Sequence, residues 1–240
     1  MSYFPFSRAR PGNSLPGSGH RRATGRHRTP DEAISAMKNC LLALVLSALF
    51  CAPALAEQLI PYDSTSKAPH FTPFREQLEK AVDERDAAFF RGRSEGASFG
   101  FATATLDEKF DISDPNSDFW SIMERLLEMG GSWQADSEMV VYPYAYADFP
   151  KSIQAQTHDV VTQEDVPLHN SSDAASFQVG KLSYEIVWVL ERGEEWSRVR
   201  AESGVSGWIE NQYLYSPTGY RLGLALMNGR WAIVYFVGGR

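Results

Sequence analysis

The chain has 240 residues, 43% of them hydrophobic, and a net charge of −7 at pH 7. Such an acidic balance makes nucleic acid and anionic lipid poor partners. Its two cysteines, Cys40 and Cys51, are too few for a disulfide framework.

Residues 1–36 carry Arg8, Arg10, Arg21, Arg22, Arg26 and Arg28 among Pro, Gly and Ser. Their apolar content is too low to build a core. They read as a disordered basic extension, or as sequence upstream of a start at Met37. Asp31 and Glu32 separate Arg21-Arg22 from the apolar stretch, which argues against a twin-arginine export signal. Residues 37–56 read as a secretory signal. Lys38 precedes an apolar run from Cys40 to Ala52, Pro53 breaks it, and Ala54-Leu55-Ala56 places small residues at −3 and −1. The run is shorter than the ~20 residues of a membrane span. Phe50 before Cys51 argues against a lipoprotein. Cleavage after Ala56 leaves residues 57–240 and removes both cysteines. Residues 1–56 hold 7 of the 23 Lys and Arg and 2 of the 30 Asp and Glu, so the mature net charge is −12. The expected location is periplasmic or secreted, with no membrane span in the mature chain.

In the mature chain, residues 57–70 read as a polar linker. A helix is predicted from Thr72, with Thr72 as cap, Pro73 at the first helical position and Glu76 in the first turn. Phe74, Leu78, Ala81, Val82 and Phe89 share its apolar face, and Gly92, Gly96 and Gly100 end it. Phe99 and Phe101 alternate around Gly100, as on a short strand. A second helix is predicted from about Ser117, with Phe119, Ile122, Met123, Leu126, Leu127 and Met129 as its apolar face and Gly130-Gly131 as its stop. Met139 to Tyr142 reads as a strand, followed by Pro143 and the aromatics Tyr144, Tyr146 and Phe149. Residues 71–150 are therefore expected to form an α+β domain. From His158 to the end, runs of Val, Ile, Trp and Tyr alternate with Gly, Ser, Asp and Asn, an all-β pattern. Asn228-Gly229 lies between two such runs and predicts a hairpin, because both turn residues tolerate positive φ. The fold class is α+β.

One stretch carries a family resemblance. It runs from Val160-Val161-Thr162 and Val166-Pro167-Leu168 through Gly180-Lys181-Leu182, Ile186 to Leu190 and Trp196-Ser197-Arg198-Val199. It ends on Gly204, Gly207-Trp208-Ile209 and Tyr213-Leu214. This order resembles the bacterial SH3 domain of cell-envelope proteins over about residues 159–215. The resemblance implies an SH3-like β-barrel in 158–240, with 216–239 as an extra C-terminal hairpin like that of a group of exported proteins. Phe119-Trp120 before a Leu-Leu helix, and Pro143-Tyr144 before Phe149-Pro150, look like the same group. There is one departure. The family's Leu-Arg-Ser-Gly-Pro loop is replaced here by Leu168 followed by His169-Asn170-Ser171-Ser172-Asp173, so ligand residues are not carried over at that loop.

The chemistry-bearing residues are sparse. Without a cysteine, the mature chain lacks the nucleophile of the cysteine endopeptidases often attached to bacterial SH3 domains. His70, His158 and His169 form no His-x-His or His-Glu-x-x-His pattern, so no zinc site is predicted. His158-Asp159 reads as the start of a strand. Asp114-Pro115-Asn116-Ser117-Asp118 has the oxygen spacing of a calcium loop. Phe119 at the sixth position and Arg125 at the twelfth break it, leaving a turn and a helix cap. Neither a phosphate loop nor a nucleophile elbow occurs, and no catalytic residue, metal or cofactor is predicted.

Aromatics are the remaining signal. Tyr184, Trp188, Trp196, Trp208 and Tyr213 are the candidate ligand-binding residues. Trp188 alternates with Val187 and Val189 and shares a face with Ile186 and Leu190, with Tyr184 on the same side. That strand is apolar on both faces, so both must be covered, by the helical half, or by a ligand or partner protein. The expected function is an exported, non-catalytic envelope module recognising a peptide, a peptidoglycan fragment or a partner protein. The alternative is a carboxylate-based hydrolase with its site in 71–150, drawing on Tyr142, Tyr144 or Tyr146.

Overall fold

The computed structural model describes residues 57–100 and 105–239. The basic segment 1–36, residues 37–56 with the expected signal, and Phe101 lie outside the described residues.

The first apolar helical run divides in two. Helix α1 spans Thr72–Asp83 and α2 spans Ala87–Arg93. Arg85 between them has φ +52, a left-handed conformation that stops an α-helical ladder. Asp86 then caps α2, its Oδ1 accepting the N–H groups of Ala88 at 2.9 Å and Phe89 at 3.0 Å. Thr72 is the first helical residue rather than the cap; the buried Phe71 holds the cap position. Helix α3, Leu106–Phe110, opens on a reciprocal cap between Thr105 and Glu108. Helix α4, Asp118–Glu128, begins after Ser117 as expected, and Gly130 follows it at φ +80. The short α5, Tyr144–Ala147, takes up the aromatic run.

The strands form two antiparallel sheets. The first has the order β1 (Ser132–Gln134), β2 (Met139–Tyr142), β10 (Arg221–Met227), β11 (Arg230–Val237). The second has the order β5 (Gln178–Leu182), β4 (Val166–His169), β8 (Ser206–Glu210), β7 (Trp196–Arg200), β6 (Ile186–Arg192), β3 (His158–Val161), β9 (Leu214–Tyr215). The fold is α+β, as the patterning predicts. The seven-stranded order is open: β5 and β9 are its edges, and no ladder among the described residues closes it into a barrel.

The terminal hairpin forms where predicted. Asn228 and Gly229 take φ +50 and +78 between β10 and β11. Its partner, however, lies in the first half. Leu222, Gly223, Leu224 and Ala225 pair with Tyr142, Val141, Val140 and Met139 of β2. The hairpin thus completes the sheet of the helical half instead of extending the seven-stranded one. The reason is packing: Leu222, Leu224, Trp231, Ile233 and Phe236 all enter the core built by α1, α2 and α4. Trp231 meets Phe71 edge-on at 4.8 Å, and its Nε1–H donates to the Pro69 carbonyl at 3.2 Å.

Residues 57–70 are built into the fold. Leu59 N–H donates to the Tyr184 carbonyl at 2.7 Å, Thr65 and Ala68 are buried, and Asp63 pairs with Arg75 at 2.8 Å. The two halves share an interior. Val160, Ile186 and Tyr215 pack into the helical core, whereas their neighbours Val161, Val187 and Leu214 pack into a second core inside the seven-stranded sheet. Among the described residues, no helix is long and apolar enough to cross a membrane.

Trp231→Ala is expected to lower stability by about 3–5 kcal/mol, since it empties the helical core and removes an indole hydrogen bond. Urea titration followed by circular dichroism measures this. A loss below about 1 kcal/mol would show that the hairpin does not hold the first half together.

Candidate functional site

The five candidate aromatics do not converge on one groove. Tyr184 occupies the turn before β6 with φ +55, and its backbone binds Leu59 and Gln163. Tyr213 packs partly buried against the second core. Trp196 and Trp208 are half-buried on the outer face of the sheet, opposite the buried Ser197, Val199, Gly207 and Ile209. Trp196 meets His169 edge-on at 5.5 Å, and Trp208 is the strand partner of both His169 and Arg198. Gly207 lies between them in the core layer, where a Cβ would fall 2.6 Å from Leu168 Cγ and 2.7 Å from the His169 carbonyl. The Gly207-Trp208-Ile209 motif is therefore a packing motif here.

Trp188 is different. It is 44% exposed, although Ile186 on the same face is buried. The helical half covers the start of β6 and ends before Trp188, so the prediction of a fully covered strand holds only for its first turn of alternation. The ring lies 6.2 Å from the His158 ring in a stacked arrangement, and the Arg200 guanidinium sits 4.3 Å from its centroid. Both contacts follow from register, since His158 and Arg200 are the β3 and β7 partners of Trp188. Together with Glu57, Ile153 and Glu202 these residues line an open cleft of about 570 Å³. Leu190 extends the exposed apolar edge.

The charges around this cleft are set by neighbours. Burial pushes the Glu185 carboxyl above its usual range, a Ser183 backbone N–H opposes this, and repulsion from Glu202 adds to it. His158 Nδ1 lies 3.0 Å from both the Gln154 carbonyl and Thr157 Oγ1, which fixes its ring beside Trp188. Asp159, next in the chain, points the other way. It is 1% exposed and accepts from Arg192 Nη2, an ion pair that anchors β6 to β3. The pairing of His158 with Asp159 as a dyad is thus absent: adjacent strand residues face opposite sides.

The 71–150 region offers less to an enzyme. Tyr142 and Tyr144 are buried in the helical core, and desolvation drives both phenols well up. Tyr146 lines an apolar cleft of about 400 Å³ with Met139, Phe149 and Tyr235, and none of the lining side chains is a carboxylate. A shallow cleft between α1 and α4 does carry Glu79, Asp83, Glu124 and Glu128, but Glu79 is already bound to Arg75 at 2.7 Å. Asp114 behaves as a turn residue: its Oδ1 accepts the Asn116 N–H at 2.8 Å and its carbonyl accepts Trp120 Nε1–H at 3.1 Å. Among the described residues, no group of three or more His, Cys, Asp or Glu is placed to hold a metal ion. A scan against protein-family models, a search of curated proteins and a search of solved structures found no match to this chain.

Trp188 is legible in the sequence as the unusual residue of a two-faced strand, whereas Arg200 and Glu202 carry no such signal and His158 only that of a strand start. Strand register sets His158 and Arg200 around the indole, and the turn after β7 brings Glu202 to the same cleft.

Two outcomes test this description. Because the folded pKa of Glu185 is raised, its ionisation weakens the fold: the cost is absent below the ordinary carboxylate range and grows as pH rises through the folded value. Glu185→Gln should therefore raise the melting temperature at pH 7, and the gain should vanish near pH 4. Thermal melts across that range decide it, and a gain independent of pH would refute the assignment. Arg192→Met leaves the Asp159 carboxylate buried without its partner and should cost about 1–3 kcal/mol in denaturant titration.

Proposed function

We propose that the mature chain is an exported, non-catalytic binding module of the bacterial cell envelope, and that it grips its ligand at the Trp188 cleft. The observation that carries this is Trp188 itself: a large aromatic left exposed in a concave site between Arg200 and His158. An exposed indole held in place by its neighbours gives broad contact area at low entropic cost. Its flat face suits a sugar ring or a peptide side chain, and Arg200 suits a ligand carboxylate. Cell-wall fragments carry all three features. The SH3-like assignment rests on the sequence resemblance over about 159–215, an interval of short antiparallel strands, β3 to β9, in an open order. The envelope location rests on the export signal read in residues 37–56.

Purified insoluble peptidoglycan should retain residues 57–240 and release the Trp188→Ala variant. The substitution itself should change stability by about 1 kcal/mol or less, because it removes exposed contacts only. If the wild type is not retained while both proteins melt alike, wall binding is wrong and Trp188 serves a protein partner instead.

A further inference from the structure

The nitrogen that signal cleavage would turn into an amine already faces a carboxylate. Glu57 N lies 2.9 Å from Glu202 Oε2. The residues that follow are held as a short extra strand beside the start of β6. Ile186 N–H donates to the Glu57 carbonyl at 3.0 Å, Gln58 bridges Glu185 in antiparallel register, and Leu59 N–H donates to Tyr184 at 2.7 Å. The Gln58 side-chain amide adds a bond to the Ser183 carbonyl at 3.0 Å. Glu57 and Glu202 both line the Trp188 cleft. Among the described residues, no Lys or Arg forms an ion pair with Glu202.

We propose that removal of the signal creates a structural ion pair, in which the new α-ammonium of Glu57 binds the Glu202 carboxylate and pins the mature N-terminus to the rim of the Trp188 cleft. This rests on the export reading. In the cleavage, catalysed by a signal peptidase, water splits the Ala56–Glu57 peptide bond. Ala56 keeps the carboxylate, and Glu57 keeps the amine, which takes up a proton. An uncleaved chain has a neutral peptide N–H at this nitrogen, with one proton to donate. The processed chain has a cation with three. A hydrogen bond between two charged groups is roughly twice as strong as a neutral one. Glu202, Glu185 and the Glu57 side chain favour the protonated amine, while Arg200 and a protonated His158 oppose it. The pair also offsets the repulsion between Glu185 and Glu202. The N-terminal strand is thus a part of the binding site that is completed only after export.

Three proteins test the pair: residues 57–240 with an authentic Glu57 start, the same chain preceded by Ala56, and the Glu202→Gln variant of the first. The described residues from 57 onward belong to one compact unit, so each is expected to fold. The α-amine is titrated by its rate of acylation against pH, located by mass spectrometry. In the authentic chain it should titrate above the ordinary range of about 7.7–8.0 and acylate several-fold more slowly at pH 7 than in Glu202→Gln. Its melting temperature should exceed that of the Ala56-extended chain by about 2–4 °C. Equal titration in the authentic chain and Glu202→Gln overturns the ion pair. Separately, intact mass of the product exported by a bacterium expressing residues 37–240 should begin at Glu57. A different start overturns the processing origin even if the pair holds in vitro, so the two failures are distinct.

Discussion

Alternation along three short strands ties the molecule together. In β3, β6 and β9, one residue of each adjacent pair enters the helical core and the other enters the core of the seven-stranded sheet. Val160 stands against Val161, Ile186 against Val187, and Tyr215 against Leu214. A strand stretch covered on both faces is apolar at consecutive positions, as in these three pairs. Neither core is complete without this shared ribbon, and other bonds fasten it. Arg125 of α4 reaches the Leu214 carbonyl at 2.6 Å, and Asp159 holds Arg192 from the opposite face.

The Trp188 cleft is a consequence of where that cover stops. The helical half shields Ile186 and leaves Trp188, two residues on, outside. Register then brings His158 and Arg200 to the indole from the flanking strands. The exposed ring is therefore not loose: one neighbour stacks beside it and a guanidinium lies over it. Side chains held this way by a strand ladder keep little rotamer freedom to lose. The extended segment Glu57 to Leu59 runs beside the start of β6 and Glu57 lines the cleft, which thus draws on widely separated parts of the chain.

Local signals in the sequence were reliable where a few neighbouring residues decide the structure. Ser117 and Gly130 mark the ends of α4, and Asn228-Gly229 marks the hairpin turn, because caps and turns depend on the φ and hydrogen bonding of the residues that form them. Thr105 with Glu108 is an equally legible cap that marks α3, a helix too short to show an apolar face. The missed break between α1 and α2 was readable only in part. Asp86 is a good cap, but Phe89 stays in phase with Phe74, Leu78 and Val82, which hides the interruption. Strand β1 has only three residues and no period to read.

Sequence alone determined the α+β class, the positions of the main elements, the two-faced character of β6 and the choice of Trp188 as its unusual residue. These follow from side-chain period and turn chemistry, which are local. Tertiary structure decided which sheet the terminal hairpin joins, why Trp196, Trp208 and Tyr213 are scattered, and which side chains surround Trp188. It also built residues 57–70 into the fold and left the seven-stranded order open. Those outcomes depend on which apolar faces meet across long stretches of chain, and an apolar face carries no mark of its partner. Trp231 is equally hydrophobic against β1 and α1 or against β9; only the volume left by Phe71 and its neighbours selects the first.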